Sequence, residues 1–402
     1  MQRTLAMNTA VVAIAAVLVL ALTGCASNRN RRSAAATYLS VSAGGGHTVA
    51  IRADGSLWAW GENMVGQLGI GETGGATVSQ ATPVRVGTGR WAFAAASHHM
   101  HTVAIAADGS LWAWGWNELG QLGDGTTINR ASPVRVGTDA NWASASAGTA
   151  HTVAIRTDGT LWAWGLNERG QLGIGELASA VPYRATPTQI GSETNWASVA
   201  AGANYTLAIR TDGTLWAWGL NEVGQLGNGT TTDHAAPARV GTDANWALVS
   251  AGSVHTVAIR TNGTLWAWGW NGHGQLGAGE IAGAMPYHTT PIQIGADTNW
   301  ASASARGWHT VAIRTNGALW AWGWNEHGQL GDGRREPGSF RNAPFPIGIG
   351  ASWASAAAGF AHTMAIRADG TLWGWGDNAS GQLGDGTATP RPSPAHIDAE
   401  AN

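Results

Sequence analysis

Lysine is absent from this 402-residue chain; all 22 of its basic residues are arginine. Charge of either sign is sparse, at 12% of residues, and the formal net charge is −3. Nothing there suggests the clustered positive surface on which nucleic-acid binding depends. Cysteine occurs once, as Cys25. An intramolecular disulfide, a thiolate zinc site and a cysteine nucleophile in the folded body are therefore excluded. Long stretches with a 3.6-residue apolar period are missing, which argues against helical repeats. No Ser/His/Asp motif, nucleophile elbow, Walker loop or His-Glu-x-x-His sequence stands out, so neither an enzyme nor a cofactor is expected. What abounds is glycine, with 58 residues, and tryptophan, with 24. So many aromatics with so few charges argue for a packed body and against disorder.

Residues 1–25 have the form of an export signal: Arg3, then an apolar run from Val11 to Leu22, too short to span a membrane comfortably. The run ends in Leu22-Thr23-Gly24-Cys25, which resembles a bacterial lipobox. The resemblance implies that Cys25 is lipidated and anchors the mature protein to the envelope membrane. Residues 26–37, small, polar and basic, form the expected tether, and Arg29, Arg31 and Arg32 suit anionic headgroups.

From Tyr38 to the end (38–402) one unit repeats seven times. His47-Thr-Val-Ala-Ile-Arg has counterparts at His101, His151, Tyr205, His255, His309 and His362, with spacings of 54, 50, 54, 50, 54 and 53. That period, with several short alternating segments in each copy, means propeller blades. In residues 142–190 the segments are Trp142–Gly148, His151–Arg156, Leu161–Trp164 and Pro187–Ile190. The expected fold is an all-β, seven-bladed propeller with four short antiparallel strands per blade. The Asp-Gly or Asn-Gly pair after each second strand, as at Asp158-Gly159, fits a hairpin turn. Each tryptophan pair, such as Trp162 and Trp164, projects to one sheet face and is expected to wedge between blades. The ring is expected to close by strand exchange, Pro394–Ile397 entering the blade of the Tyr38 segment.

Gly165-x-Asn167-x-x-Gly170-Gln171-Leu172-Gly173 and Ala147-Gly148-x-x-His151-Thr152 resemble the hallmarks of regulator-of-chromosome-condensation repeats. The Gly-Gln-Leu-Gly core stands intact seven times, and the resemblance covers about residues 38–398. It implies a seven-bladed propeller that recognises proteins through loops on its faces. Members of that family include a nuclear exchange factor for a small GTPase, parts of ubiquitin ligases and a secreted inhibitor of β-lactamases. An exchange-factor role fits poorly with export, and no long charged wedge is evident.

Selectivity is expected where the copies differ. The linker before the fourth strand is long in repeats one, three and five, and differs again in repeat six, from Gly331 to Pro346. These linkers would form a crown carrying Tyr183, Arg184, Tyr287, His288, Arg334, Arg335, Phe340, Arg341 and Phe345, and Tyr and Arg are common interface anchors. They bind a partner or merely pack on the rim. Trp116, Trp270 and Trp324 precede the repeated asparagine in a loop, where they contact a partner, stack on sugars or tuck between blades. Arg306 and Trp308 interrupt repeat six where other copies carry small residues. The recurring histidine reads as a hydrogen-bonding strand cap. Repeat two alone offers a triplet for a metal, His98, His99 and His101, with no carboxylate beside it. The expected protein is a monomeric, non-enzymatic binding module of the bacterial cell envelope. Its expected partner is a protein there or outside the cell; carbohydrate is the alternative, and nucleic acid is not expected.

Overall fold

The computed structural model describes residues 36–72, 78–176, 182–280 and 286–397. The leader, Cys25, residues 26–35 of the tether and part of the long linkers of repeats one, three and five lie outside them. Each repeat is one four-stranded antiparallel sheet with its strands paired in chain order, giving seven blades and, among the described residues, no helix. Blades one to seven begin at Tyr38, Trp91, Trp142, Trp196, Trp246, Trp300 and Trp353. Their first strands, rich in serine and alanine, line the axis, where only small side chains fit.

Blade three shows how the residues build the unit. Its strands are Trp142–Ala147, His151–Arg156, Leu161–Leu166 and Tyr183–Gln189. At the turn, Asp158 accepts the Thr160 backbone N–H at 3.0 Å and its hydroxyl at 2.7 Å, and Gly159 holds φ at +79°. The aspartate is a turn residue, as its sequence context implies. The fourth strand begins at Tyr183, earlier than Pro187, because the chain resumes pairing with Leu166 and Gly165 across a bulge. Tyr183, Tyr287, Phe340, Arg341 and Phe345 consequently lie in outer strands, and only Arg334 and Arg335 of that group lie in a loop.

The blade interfaces repeat one set of contacts. Trp164 is fully buried against Val103, Ile105 and Leu111 of blade two, with Trp162 half-buried beside it on the same face. The Gly-Gln-Leu-Gly phrase bonds each blade to the next. The Gln171 carbonyl accepts both the Trp218 indole N–H at 3.0 Å and the Thr206 hydroxyl at 2.9 Å. Gly173 lies so close to the Trp218 ring that a Cβ would stand 2.6 Å from its Nε1. His151 Nε2 is 3.1 Å from the same Thr206 hydroxyl. That hydroxyl has only one proton and gives it to Gln171, so His151 is the donor and carries its proton on Nε2. The recurring histidine is thus an inter-blade bond. In blade four, Tyr205 reaches across instead and donates to the His255 carbonyl.

The ring closes differently from the expectation. The last strand, Arg391–His396, pairs with Leu372–Gly376 of its own blade, and Tyr38–Ala43 pairs only within blade one. Among the described residues no strand is exchanged. Closure reuses the interface found between all neighbours: Trp60 Nε1 donates to the Gln382 carbonyl at 2.9 Å, and Thr48 meets His362 at 3.1 Å. With seven such interfaces, exchange is not needed to cover an edge. Ile397 does join Tyr38, but across the interface, in one apolar cluster with Trp60 and Ile366.

Candidate functional site

In every blade the loop between strands one and two and the loop between strands three and four emerge on the same face, because the strands alternate in direction. On that face, where blades five, six and seven meet, the aromatic residues that break the repeat converge. Trp270 ends the third strand of blade five, Trp324 ends that of blade six, and Trp308 sits in the first loop of blade six. Trp308 meets Trp270 edge-on at 5.6 Å and Trp324 at 5.3 Å. Phe360, from the first loop of blade seven, lies 6.0 Å from Trp308 and is 41% exposed. His273 fills the angle between Trp270 and Trp308, at 5.1 Å and 5.3 Å, and His327 stands 5.0 Å from Trp324.

Two carboxylates border this cluster: Asp377 stands 3.9 Å from His327 Nδ1, and Glu326 lies among the rings. Glu326 accepts the Gly338 backbone N–H at 2.8 Å, and that bond first, then the Trp324 indole and the two histidines, hold it below the usual carboxylate range. Burial pulls His273 below the ordinary histidine value, with Glu326 opposing. The Glu326–Gly338 bond joins the cluster to the linker of repeat six. The ladder does the same, since Phe340 stands opposite Trp324 and is 42% exposed. Tyr287 stands opposite Trp270 in the same way. Trp270, Trp308, Trp324, Tyr287 and Phe340 therefore belong to one surface, with exposed Arg334 and Arg335 beyond it.

The other candidates are elsewhere or engaged. Arg341 is bonded to the buried carboxylate of Asp332 at 2.9 Å and lies 4.0 Å over the Phe345 ring, so both serve the linker's own fold. Tyr183 is in blade three, and Trp116 is in blade two against His99. Arg306 points away from its neighbour Trp308. Its Nη1 crosses the axis to the Ala96 carbonyl of blade two, at 2.8 Å, because small inner-strand residues leave the axis open. The histidine triplet disperses: His98 is buried, His99 is exposed beside Trp116, and His101 meets Thr152 in the next blade at 3.1 Å. Among the described residues no group of three or more His, Cys, Asp or Glu is placed to hold a metal.

His273, His327, Glu326 and Phe360 were not singled out from sequence. The two histidines stand where other copies carry Val65, Leu119, Arg169, Val223 and Ser380, so comparison of the copies contained the signal.

A closed ring of antiparallel blades with its irregular residues gathered on one face defines a β-propeller scaffold built to present loops. The chain belongs to the RCC1-like domain family, whose model matches residues 20–347, with regulator of chromosome condensation (RCC1) repeats matched at 353–382 and 369–402. Over 370 residues it is 32% identical to the ultraviolet-B receptor UVR8 of Arabidopsis thaliana, covering 90% of this chain and 82% of that protein. The human probable E3 ubiquitin-protein ligase HERC3 is 38% identical, but over 23% of this chain and only 9% of its own length. In structure the chain is similar to human WBSCR16, with a TM-score of 0.75 at 21% identity, covering 85% of this chain and 93% of that one. Prp20p of Saccharomyces cerevisiae matches with a TM-score of 0.75 at 21% identity, covering 90% and 87%.

Proposed function

We propose that this chain is a non-enzymatic, monomeric binding module, lipid-anchored through Cys25 in a bacterial cell envelope, that recognises a protein partner. The observation that carries the reading is the cluster of half-buried Trp270 and Trp308 with exposed Phe360, seated on buried Trp324 and continuous with exposed Phe340. Trp270, Trp308 and Phe360 gather accessible ring surface at one seam of the face, which suits the aromatic anchors of an interface. Related propellers are described with protein partners: Prp20p with Gsp1p and histones, and yeast RCC1 with Kap60. Export and the anchor rest on the apolar run and Leu22-Thr23-Gly24-Cys25 alone.

The test is crosslinking of the full chain in its own envelope. A partner captured by wild type should be lost by Trp308→Ala/Phe360→Ala. It should be kept by a repeat-four variant, Thr230→Ala/Thr231→Ala/Asp233→Ala/His234→Ala. Loss in the second variant with retention in the first would place binding on another surface. The same tryptophans could stack on sugars, so a glycan array that retains wild type and not Trp308→Ala/Phe360→Ala would move the reading to carbohydrate. Cys25→Ser should leave the membrane fraction, and its retention after alkaline wash would refute the lipid anchor.

A further inference from the structure

Arg306 enters the axial channel without an acidic partner. Its Nη1 donates to the Ala96 carbonyl, and among the described residues no carboxylate pairs with it. Burial lowers its pKa to about 10, so it remains a cation at neutral pH. Beside it lies a cavity of about 100 Å³ lined by Ser42, Ser146, Ser250 and Ser304, with alanines completing the wall. Each of these serine hydroxyls accepts a backbone N–H from the next blade: Ala96 at 3.1 Å, Ala201 at 3.0 Å, Ala305 at 3.0 Å and Ala358 at 3.1 Å. A hydroxyl that accepts still has a proton to give. The lining therefore offers four O–H donors and a guanidinium, and no carboxylate competes for them. His98, only 8% exposed, lies beside the backbones of the cavity-lining Ala201 and Ala251.

We propose that this axial cavity binds a small inorganic anion, a halide or compact oxyanion, as the counter-ion of Arg306. Arg306 is half-buried, and a partly desolvated charge without a counter-ion is costly; a site of donors alone around a cation lowers that cost by holding an anion. The size agrees: about 100 Å³ takes one such ion with a water or two. The sequence carries the same logic. Arginine stands at 306 where other copies have glycine or serine, and serine recurs on the inner strands of blades one, three, five and six, directly around it.

Two measurements on the full mature chain test the site. Crystals soaked in sodium bromide should give an anomalous peak in the cavity within hydrogen-bond reach of the Arg306 guanidinium. In solution, the melting temperature should be higher in sodium bromide or chloride than in sodium gluconate of equal ionic strength, because a ligand of the folded state alone stabilises it. Arg306→Met should abolish that difference, and Arg306→Lys should keep part of it. An empty cavity in the bromide-soaked crystal, or equal halide responses in wild type and Arg306→Met, would overturn the proposal. If Arg306→Met does not fold, the bromide map of the wild type is sufficient: a peak beside Arg306 supports the site, and its absence overturns it.

Discussion

The histidines between blades give the molecule a dependence on acid that follows from single-residue chemistry. His47, His151, His255, His309 and His362 each have their pKa lowered by burial to about 3, from an ordinary value of 6.5. The folded state keeps them neutral, whereas the unfolded chain protonates them below pH 6.5. Stability is therefore fully present above that value and is lost as pH falls toward 3, by up to about 1.4 kcal/mol per pH unit for each histidine. Melting temperature should be nearly flat above pH 7 and fall steeply below pH 6. Tyr205 shows the remedy, since a phenol does the same bridging with no proton to gain. His255→Tyr, which has Gly252 to admit the ring as Gly202 admits Tyr205, should shallow the acid limb without lowering stability at pH 8. An unchanged slope in a pH series of thermal melts would show that another group sets it.

At the scale of the blade, an arginine stacked on the rim tryptophan recurs in every blade but the second, with an acidic partner in blades three to six. In blade three Arg156 lies 4.7 Å and 4.0 Å over Trp142 and Trp162, which meet edge-on at 6.2 Å, and pairs with Asp139 at 2.6 Å. Blade two keeps the indole pair, Trp91 and Trp112 at 6.2 Å, but has Ala106 for the arginine and Gly89 for the aspartate. Ala106→Arg should restore the stack and add about 0.5–1 kcal/mol, measured by denaturant unfolding. A loss of stability would mean that the shortened loop blocks the ring faces. Strand order and blade number were legible in the sequence because alternation and Asp-Gly turns recur at each copy. The start of the outer strand was not, since Tyr183 and Phe340 follow irregular linkers and their pairing is set by the neighbouring strand. The candidate site was legible in part. Trp270, Trp308 and Trp324 were visible as departures from the repeat, but their convergence depends on adjacent blades meeting at one seam. The path of Arg306 depends on the open axis, which no local pattern describes.

At the scale of the ring, closure without strand exchange means that Tyr38 and Ile397 meet at an ordinary blade junction. Between blades three and four, Ile190 bonds back to Leu161 at 2.8 Å, five residues 191–195 cross over, and Trp196 donates to the Gly159 carbonyl at 3.1 Å. At the terminal junction Ile397 bonds to Leu372 at 2.9 Å, and Tyr38 donates to the Gly370 carbonyl at 3.0 Å. The two geometries are the same, and the second lacks only the covalent crossing. A copy of Gly191–Asn195 placed between Ile397 and Tyr38 should therefore close the chain, and the ring can then be opened between blades three and four, where residues 191–194 are exposed. The permutant should unfold in one transition within a few degrees of the parent, because every inter-blade contact is kept. Removing 391–397 from the parent should instead lower its melting temperature markedly. That truncation takes away the outer strand of blade seven and the Ile397 side chain that packs on Tyr38, leaving an unpaired edge on Leu372–Gly376. If the permutant fails to fold while the truncated chain melts like the parent, the terminal junction is not equivalent to the others and the ring is held by something other than repeated face-to-face packing.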